Sequence, residues 1–515
     1  MYPDHLAHPV TDTMKTVPNP LYQLLAEEMR SAISDGRLPA GSRLPSVRDT
    51  ARERGLSINT VLAAYRHLEA RGQVEARPQS GYFVRPRLPS PPPAVAVAAA
   101  VAYSQTPAEA QPADTAVLDR IAAVLAAQSD PNTIDLSLAC PKSSDFYPSK
   151  ALSRLVVDHA RRRPELLTDY SLPPGPLLLR REICRHAHDL GMALEPENII
   201  LTNGCMEALQ LALRGVTQPG DTIAIESPTY FNLISLADHL GLRSIEVPTH
   251  PDQGMSLDVL ELLLSEKRVQ AVVTMPSVHN PLGTSMPVAG KQRLAALAKA
   301  YRVPVIEDAL YAELQYATPL QSTVKSFDSD GWVIVCTSYT KVLAPGFRVG
   351  WMEAGRFQRR IAALKFSASL AQPAFLGEVL GCYLESGGYA QHLRRLRRMY
   401  AAQVDRLRGL IDDAFPAGTR AAEPTGGFLV WVELPEGCDA NRLCDDALAR
   451  GITITPGSLF SPSGRHGRHI RLSGCHLFSD RYIHALLTLG ELAKGQIDAG
   501  ATDGNRDAHP IAPAR

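Results

Sequence analysis

SYTKVLAPGFRVGWM, residues 338–352, sets Ser338 and Lys341 just beyond the apolar run VIVC (333–336) and places Arg348 seven residues after the lysine. The run reads as a buried strand, so serine and lysine fall where the chain leaves a sheet. A lysine attacks an aldehyde only as the free amine, and a partly desolvated site beside other cations supplies that form. The serine hydroxyl and the guanidinium can then share one phosphate, the arginine in bidentate fashion. Any single SxxK is common, so its meaning depends on what stands at the neighbouring strand ends.

Further strand-like runs at 198–202, 221–226, 271–275 and 303–306 alternate with helical stretches between residues 131 and 494. This alternation implies βα units and an α/β fold with a largely parallel sheet, whose binding groups lie at the carboxyl ends of the strands. TNGCMEALQLAL (202–213) puts Gly204, Cys205 and Met206 at the start of a helix after a strand, where free N–H groups can hold a phosphate. VIEDALYAEL (305–314) ends a strand at Asp308, with Tyr311 three residues on. The carboxylate could pair with a protonated pyridine nitrogen and keep the ring an electron sink, while the tyrosine hydroxyl bonds the ring oxygen. Standing alone, a strand-end aspartate reads better as the cap of a helix.

With MPSVHNPLG (275–283), these segments resemble the fold-type I aminotransferases across most of residues 131–494. The resemblance implies pyridoxal 5'-phosphate as cofactor, Lys341 as its Schiff-base lysine, and Asp308 at the pyridine nitrogen. It assigns Asn280 and Tyr311 to the ring hydroxyl and surrounds the phosphate with Gly204, Cys205, Met206, Ser338 and Arg348. Tyr230 in SPTYFN falls where the family stacks an aromatic on the ring. Tyr170 in TDYSLPPGPLLLR matches the tyrosine that reaches the partner subunit's phosphate, which implies a homodimer. Arg471 in HIRLSG matches the arginine that holds a substrate α-carboxylate. Cys205 and Met206 depart from the family in offering no hydroxyl, and Leu282 stands where threonine is common. Backbone amides can still serve the phosphate.

The first ninety residues have a different character. Residues 21–87 hold eleven arginines against seven acids, about +4 within a chain whose 53 basic and 53 acidic residues cancel. An arginine-rich module releases counterions from phosphates, although a solvated charged face has the same composition. Apolar spacing predicts a helix over 21–33. Ser46 opens a second helix that Gly55 ends, and Ser57 caps a third whose apolar stripe is Val61, Leu62, Tyr65 and Leu68. Residues 73–76 and 82–84, about a turn at 78–81, read as a hairpin wing.

LPSVRDTARERGLSINTVLAAYRHLEARGQVEARPQSGYFV (44–84) resembles the winged helix-turn-helix of the GntR family of bacterial regulators. The resemblance implies operator DNA as partner, contacted by Arg48, Ser57, Asn59, Thr60, Arg66, Arg77, Ser80 and Gly81. Ile58 stands where the family usually has arginine, which shifts the expected base contacts towards Asn59, Thr60 and Arg48. A winged helix used for protein contacts is the alternative.

The chain therefore divides into a winged helix over 19–87, a Pro/Ala-rich linker over 88–116, and an aminotransferase-like domain over 117–494, opened by a short helix at 117–127. A disordered tail is expected over 495–515. The eight cysteines form no CxxC pair, so neither a metal site nor a disulfide framework is indicated. The longest strictly apolar stretch, 94–103, is half of the roughly 20 residues a membrane helix needs. With no signal-type run at the start, the cytoplasm is the expected location.

A GntR-like reader joined to an aminotransferase-like body is the arrangement of the MocR group of transcriptional regulators. The resemblance implies a dimeric, pyridoxal-phosphate-dependent regulator. In it an amino compound displaces Lys341, shifting body conformations and with them the DNA readers. An aminotransferase of amino acids carrying a DNA-binding appendage is the alternative. A cofactor-free dimerisation scaffold is a third reading, against which Lys341 and Asp308 speak.

Overall fold

The computed structural model describes residues 20–77, 80–85, 130, 132–141 and 145–504. Contacts divide the chain into two units, Met1–Thr106 and Pro107–Arg515. The expected linker and the expected helix at 117–127 lie outside the described residues, as do Pro78 and Gln79 of the wing turn.

In the first unit, helices α1 (Leu21–Ser34), α2 (Val47–Arg54) and α3 (Ile58–Ala70) precede strands β1 (Val74–Arg77) and β2 (Gly81–Val84). Capping sets the boundaries. Ser46 Oγ accepts from Asp49 N at 3.1 Å to open α2, and Gly55 ends it in the left-handed region at φ 62°. Ser57 Oγ accepts from Thr60 N at 3.1 Å to open α3. Tyr65, fully buried on α3, donates to Pro45 O at 2.9 Å and is hydrogen-bonded to Thr50 Oγ1 at 2.8 Å, which pins α3 against α2. Leu25, Met29, Leu44, Val61, Leu68, Val74 and Val84 complete this core. The antiparallel pair β1–β2 forms the wing in the register Val74↔Val84 to Arg77↔Gly81.

The second unit is built on an eight-stranded sheet. Its strands are β4 (Ile199–Thr202), β5 (Thr222–Ser227), β6 (Arg243–His250), β7 (Gly254–Met255), β8 (Ala271–Thr274), β9 (Val305–Asp308), β10 (Val333–Ser338) and β11 (Gly350–Glu353), in the order β4-β11-β10-β9-β8-β5-β6-β7. Strands β10, β9, β8, β5 and β6 run parallel, while β11 is antiparallel to both of its neighbours. The amino end of β11 therefore lies on the same rim as the carboxyl ends of β4 and β10. Helix α4 (Cys205–Val216) follows β4, and α5 (Gln358–Ser369) packs against it. Both faces of the central strands are apolar and covered, as a largely parallel sheet requires.

A smaller antiparallel sheet, ordered β12 (Arg420–Ala421), β13 (Leu429–Glu433), β16 (His469–Ser473) and β15 (Thr455–Pro456), carries Arg471 opposite Trp431 and Thr455. Two short strands, β3 (Ile134–Asp135) and β14 (Ile452–Thr453), pair beside it.

Over residues 495–504 the expectation of a disordered tail is corrected by the last helix, α6 (Asp480–Gly504), while residues 505–515 lie outside the described residues. Ala493 is fully buried, and Gln496 is buried with its Oε1 accepting from Asp439 N at 2.9 Å. A polar residue here does the anchoring that an apolar one usually does, so the apolar spacing ends before the helix does. Among the described residues no helix is long and apolar enough to cross a membrane.

Candidate functional site

Strand ends along one rim of the large sheet bring the expected groups together. Lys341 follows β10, half-buried, and its amine is held below the usual lysine range. Burial is the main cause, and Arg471 and Arg348 add to it against the thiols of Cys140 and Cys475. The uncharged amine that attack on an aldehyde needs is thus favoured.

Asp308 ends β9 beside it and is 5% exposed. Burial pushes its carboxyl up to about 6, against hydrogen bonds to Oδ1 from Leu310 N at 3.0 Å and Cys205 Sγ at 3.4 Å. Among the described residues no cation forms an ion pair with this carboxylate, and Lys341 is the cation whose charge acts on it. Tyr311 is buried, and loss of hydration raises its hydroxyl well above the ordinary range.

The helix start after β4 has the form a phosphate needs. Gly204 sits at φ 84° and no side chain caps α4, so the N–H groups of Cys205 and Met206 meet no acceptor among the described residues. Arg348, held at φ 54°, bonds the Asn203 carbonyl through Nη2 and Thr340 Oγ1 through Nη1, each at 3.1 Å. Glycines allow this closeness: a Cβ on Gly350 would lie 2.7 Å from the Gly204 carbonyl carbon. Ser338 is buried where β10 ends, and its Oγ accepts from Thr340 N at 3.3 Å.

Arg471 enters from the small sheet and is 3% exposed. Nη1 donates to Asn280 Oδ1 at 3.1 Å and Nη2 to Ser137 O at 3.0 Å, while Nε is buried without a partner. The guanidinium also lies 5.1 Å from the Phe460 ring centroid and 5.9 Å from that of Phe231. A buried cation with one N–H open is suited to a carboxylate. Tyr230 lies in the cluster, its hydroxyl accepting from Asn232 Nδ2 at 2.9 Å.

Tyr170 is not brought into this cluster. It is 79% exposed, and among the described residues no hydrogen bond joins it to the others. Sequence reasoning missed Ser137, Phe231, Phe460 and Cys475, which surround Arg471 and Lys341. Phe231 and Cys475 adjoin motifs read from the sequence, whereas Ser137 and Phe460 carry no such signal. The half-buried amine, the buried carboxylate, the open amides and the buried arginine fit a pyridoxal phosphate group, one chemical demand at each part of the molecule.

On the winged helix, Arg48, Asn59 and Arg66 are exposed, as is the start of α3. Thr60 is engaged locally, its hydroxyl 2.7 Å from Ser57 Oγ. Arg77 pairs with Glu75 at 2.7 Å and lies over the Phe83 ring, 4.4 Å from its centroid. Ser80 and Gly81 form the exposed tip, against which the side chain of Arg43, a residue not singled out from sequence, is laid. Ile58 is 53% exposed at the first position of α3.

Fold and site together define an aminotransferase-like α/β body in a chain that also carries a winged DNA reader. The family model for aminotransferase class I and II matches residues 149–477, and that for bacterial regulatory proteins of the gntR family matches residues 21–84. The chain belongs to the aminotransferase class I and II family and carries a GntR-family domain before it, the two-part organisation of the MocR type. It is 34% identical over 476 residues to YdcR, an uncharacterized HTH-type transcriptional regulator of Escherichia coli (strain K12), covering 92% of this chain and 99% of that one. It is 29% identical over 398 residues to MocR of Rhizobium meliloti, a probable rhizopine catabolism regulatory protein, covering 74% and 75%. Among solved structures, LysN of Thermus thermophilus, an alpha-aminoadipate aminotransferase complexed with N-(5'-phosphopyridoxyl)-L-leucine, superposes with a TM-score of 0.68 at 26% identity, over 74% of this chain and 95% of that one.

Proposed function

We propose that this protein is a dimeric, pyridoxal-phosphate-dependent transcriptional regulator whose body senses a small amino compound and whose winged helix holds operator DNA. One observation carries the reading: a single chain contains both a DNA reader with an exposed recognition-helix start and a site with a half-buried lysine whose amine is held below its usual range. When bound, pyridoxal phosphate supplies an aldehyde that exchanges one primary amine for another, together with a ring that withdraws electrons. Lys341 is the amine to be exchanged, and Asp308 would hold a proton on the ring nitrogen. Ser338, Arg348 and the amides of Cys205 and Met206 would bind the phosphate. Asn280 and Tyr311 would orient the ring oxygen, and Tyr230 would cover the ring. Arg471 would hold the carboxylate of the incoming compound. Tyr170, exposed as is Leu172 at 60%, would reach a partner subunit's site rather than its own.

A second reading, turnover as an aminotransferase, has its own support in the buried carboxylate-type site at Arg471. Footprinting full-length protein on fragments upstream of its own and neighbouring genes tests the first. Adding the right amino compound should change the footprint. No preference for any such fragment would overturn the proposal.

A further inference from the structure

Glu207 stands where an acid should repel the group that the site is built to hold. It is the third residue of α4, within one turn of the open Cys205 and Met206 amides. Its carboxylate reaches back past the N-cap Gly204 to accept from Asn203 N at 2.5 Å. An uncompensated negative charge at that end of the helix would offset the field that favours a phosphate.

The compensation comes from α5. Lys365, only 4% exposed, donates from Nζ to both Glu207 oxygens at 2.9 and 3.0 Å, and Ser369 Oγ lies 3.4 Å from Oε1. Across the same turn Arg348 holds the Asn203 carbonyl. Asn203 is thus gripped at its backbone N–H by Glu207, itself held by Lys365, and at its carbonyl by the phosphate-facing arginine.

Resting on the cofactor reading above, we propose that Lys365 is a positioning residue for the cofactor phosphate. Paired with Glu207, it cancels the acid's charge at the head of α4 and keeps the 203–204 turn in the form that leaves two amides open. An ion pair between a buried lysine and a half-buried acid beside an anion site has this effect without touching the ligand. Removing the lysine alone leaves the half-buried acid without its cation and facing phosphate.

Absorbance titration of full-length protein with pyridoxal phosphate and with pyridoxal, which lacks the phosphate, separates this role from a merely structural one. Lys365→Met should lower affinity for the phosphorylated compound by about tenfold or more, while pyridoxal changes by less than about twofold. Adding Glu207→Gln to that variant should recover most of the loss. An unchanged preference in Lys365→Met, or no recovery in the double variant, overturns the proposal. Should Lys365→Met fail to fold, Glu207→Gln alone must bind pyridoxal phosphate at least as tightly as the parent, and a tenfold fall there overturns it too. A parent that takes up neither compound refutes the cofactor reading itself, and this proposal falls with it.

Discussion

Asp308 and Arg471 are both buried charged groups held in wait, and each makes a prediction that the other does not. Buried and without an ion pair among the described residues, Asp308 resists ionisation, so the folded protein binds a proton more readily than the unfolded chain does. A raised carboxyl makes stability fall as pH climbs from about 4 through about 6, by on the order of 2–3 kcal/mol. Asp308→Asn, whose amide oxygen can still accept from Leu310 N and Cys205, should therefore raise the melting temperature of cofactor-free protein at pH 8. At pH 4 it should change little, and at either pH it should weaken cofactor uptake. Melting curves at the two pH values check the sign. For Arg471, amino acids should perturb the cofactor absorbance more than the corresponding decarboxylated amines do. Arg471→Ala should erase that difference while bound cofactor remains. Equal responses in the parent would point to an amine effector. How much of this was legible follows from distance along the chain. Lys341, Asp308 and Gly204 each sit within a few residues of an apolar run that marks the strand end, and Arg348 is read from its spacing to Lys341. Ser137 and Phe460 meet Arg471 only because of how the small sheet is placed, which no local spacing encodes.

At the scale of elements, boundaries written in caps were readable and those written in buried polar contacts were not. Ser46, Gly55 and Ser57 set α2 and α3 within a residue of expectation, because each cap is a local hydrogen bond or a local φ. Strand β11, short and opened by the glycine that the phosphate turn requires, has no apolar run of its own. Yet its antiparallel insertion is what returns Arg348 to the rim. Helix α6 escaped for the reason given by Gln496. The recognition helix carries the prediction here. Ser57→Ala removes the cap and the partner of Thr60, and should destabilise the first unit by about 1 kcal/mol. Asn59→Ala touches no such bond, so it should leave stability alone and relax preference at one base position by about 1–3 kcal/mol. Thermal melts and a panel of single-base operator variants separate the two effects. If Asn59→Ala weakens all sequences alike, the residue contacts phosphate rather than base.

For the whole molecule the question is whether the chemistry at Lys341 is used to signal or to turn over substrate, because fold and site permit both. The charge distribution bears on the DNA half. The N-terminal module is basic within a chain of net zero charge, so binding should weaken steeply with salt, by roughly 0.9 in log affinity per log salt for each phosphate neutralised. Lys341→Ala leaves that module untouched. The variant should bind operator with the parent's affinity and salt slope and lose the absorbance of the lysine–cofactor link. Ser338, Arg348 and the open amides should still retain some cofactor by its phosphate. In a regulator this variant gives one unvarying footprint whatever amino compound is added, whereas the parent's footprint changes. An enzyme with a DNA-binding appendage behaves otherwise. Its parent protein transfers amino groups at about 1 to 10³ per second, and its footprint is the same with and without substrate. Turnover and footprint measured on parent and variant under one buffer decide between them, and fast turnover beside an unresponsive footprint would reverse the assignment made here.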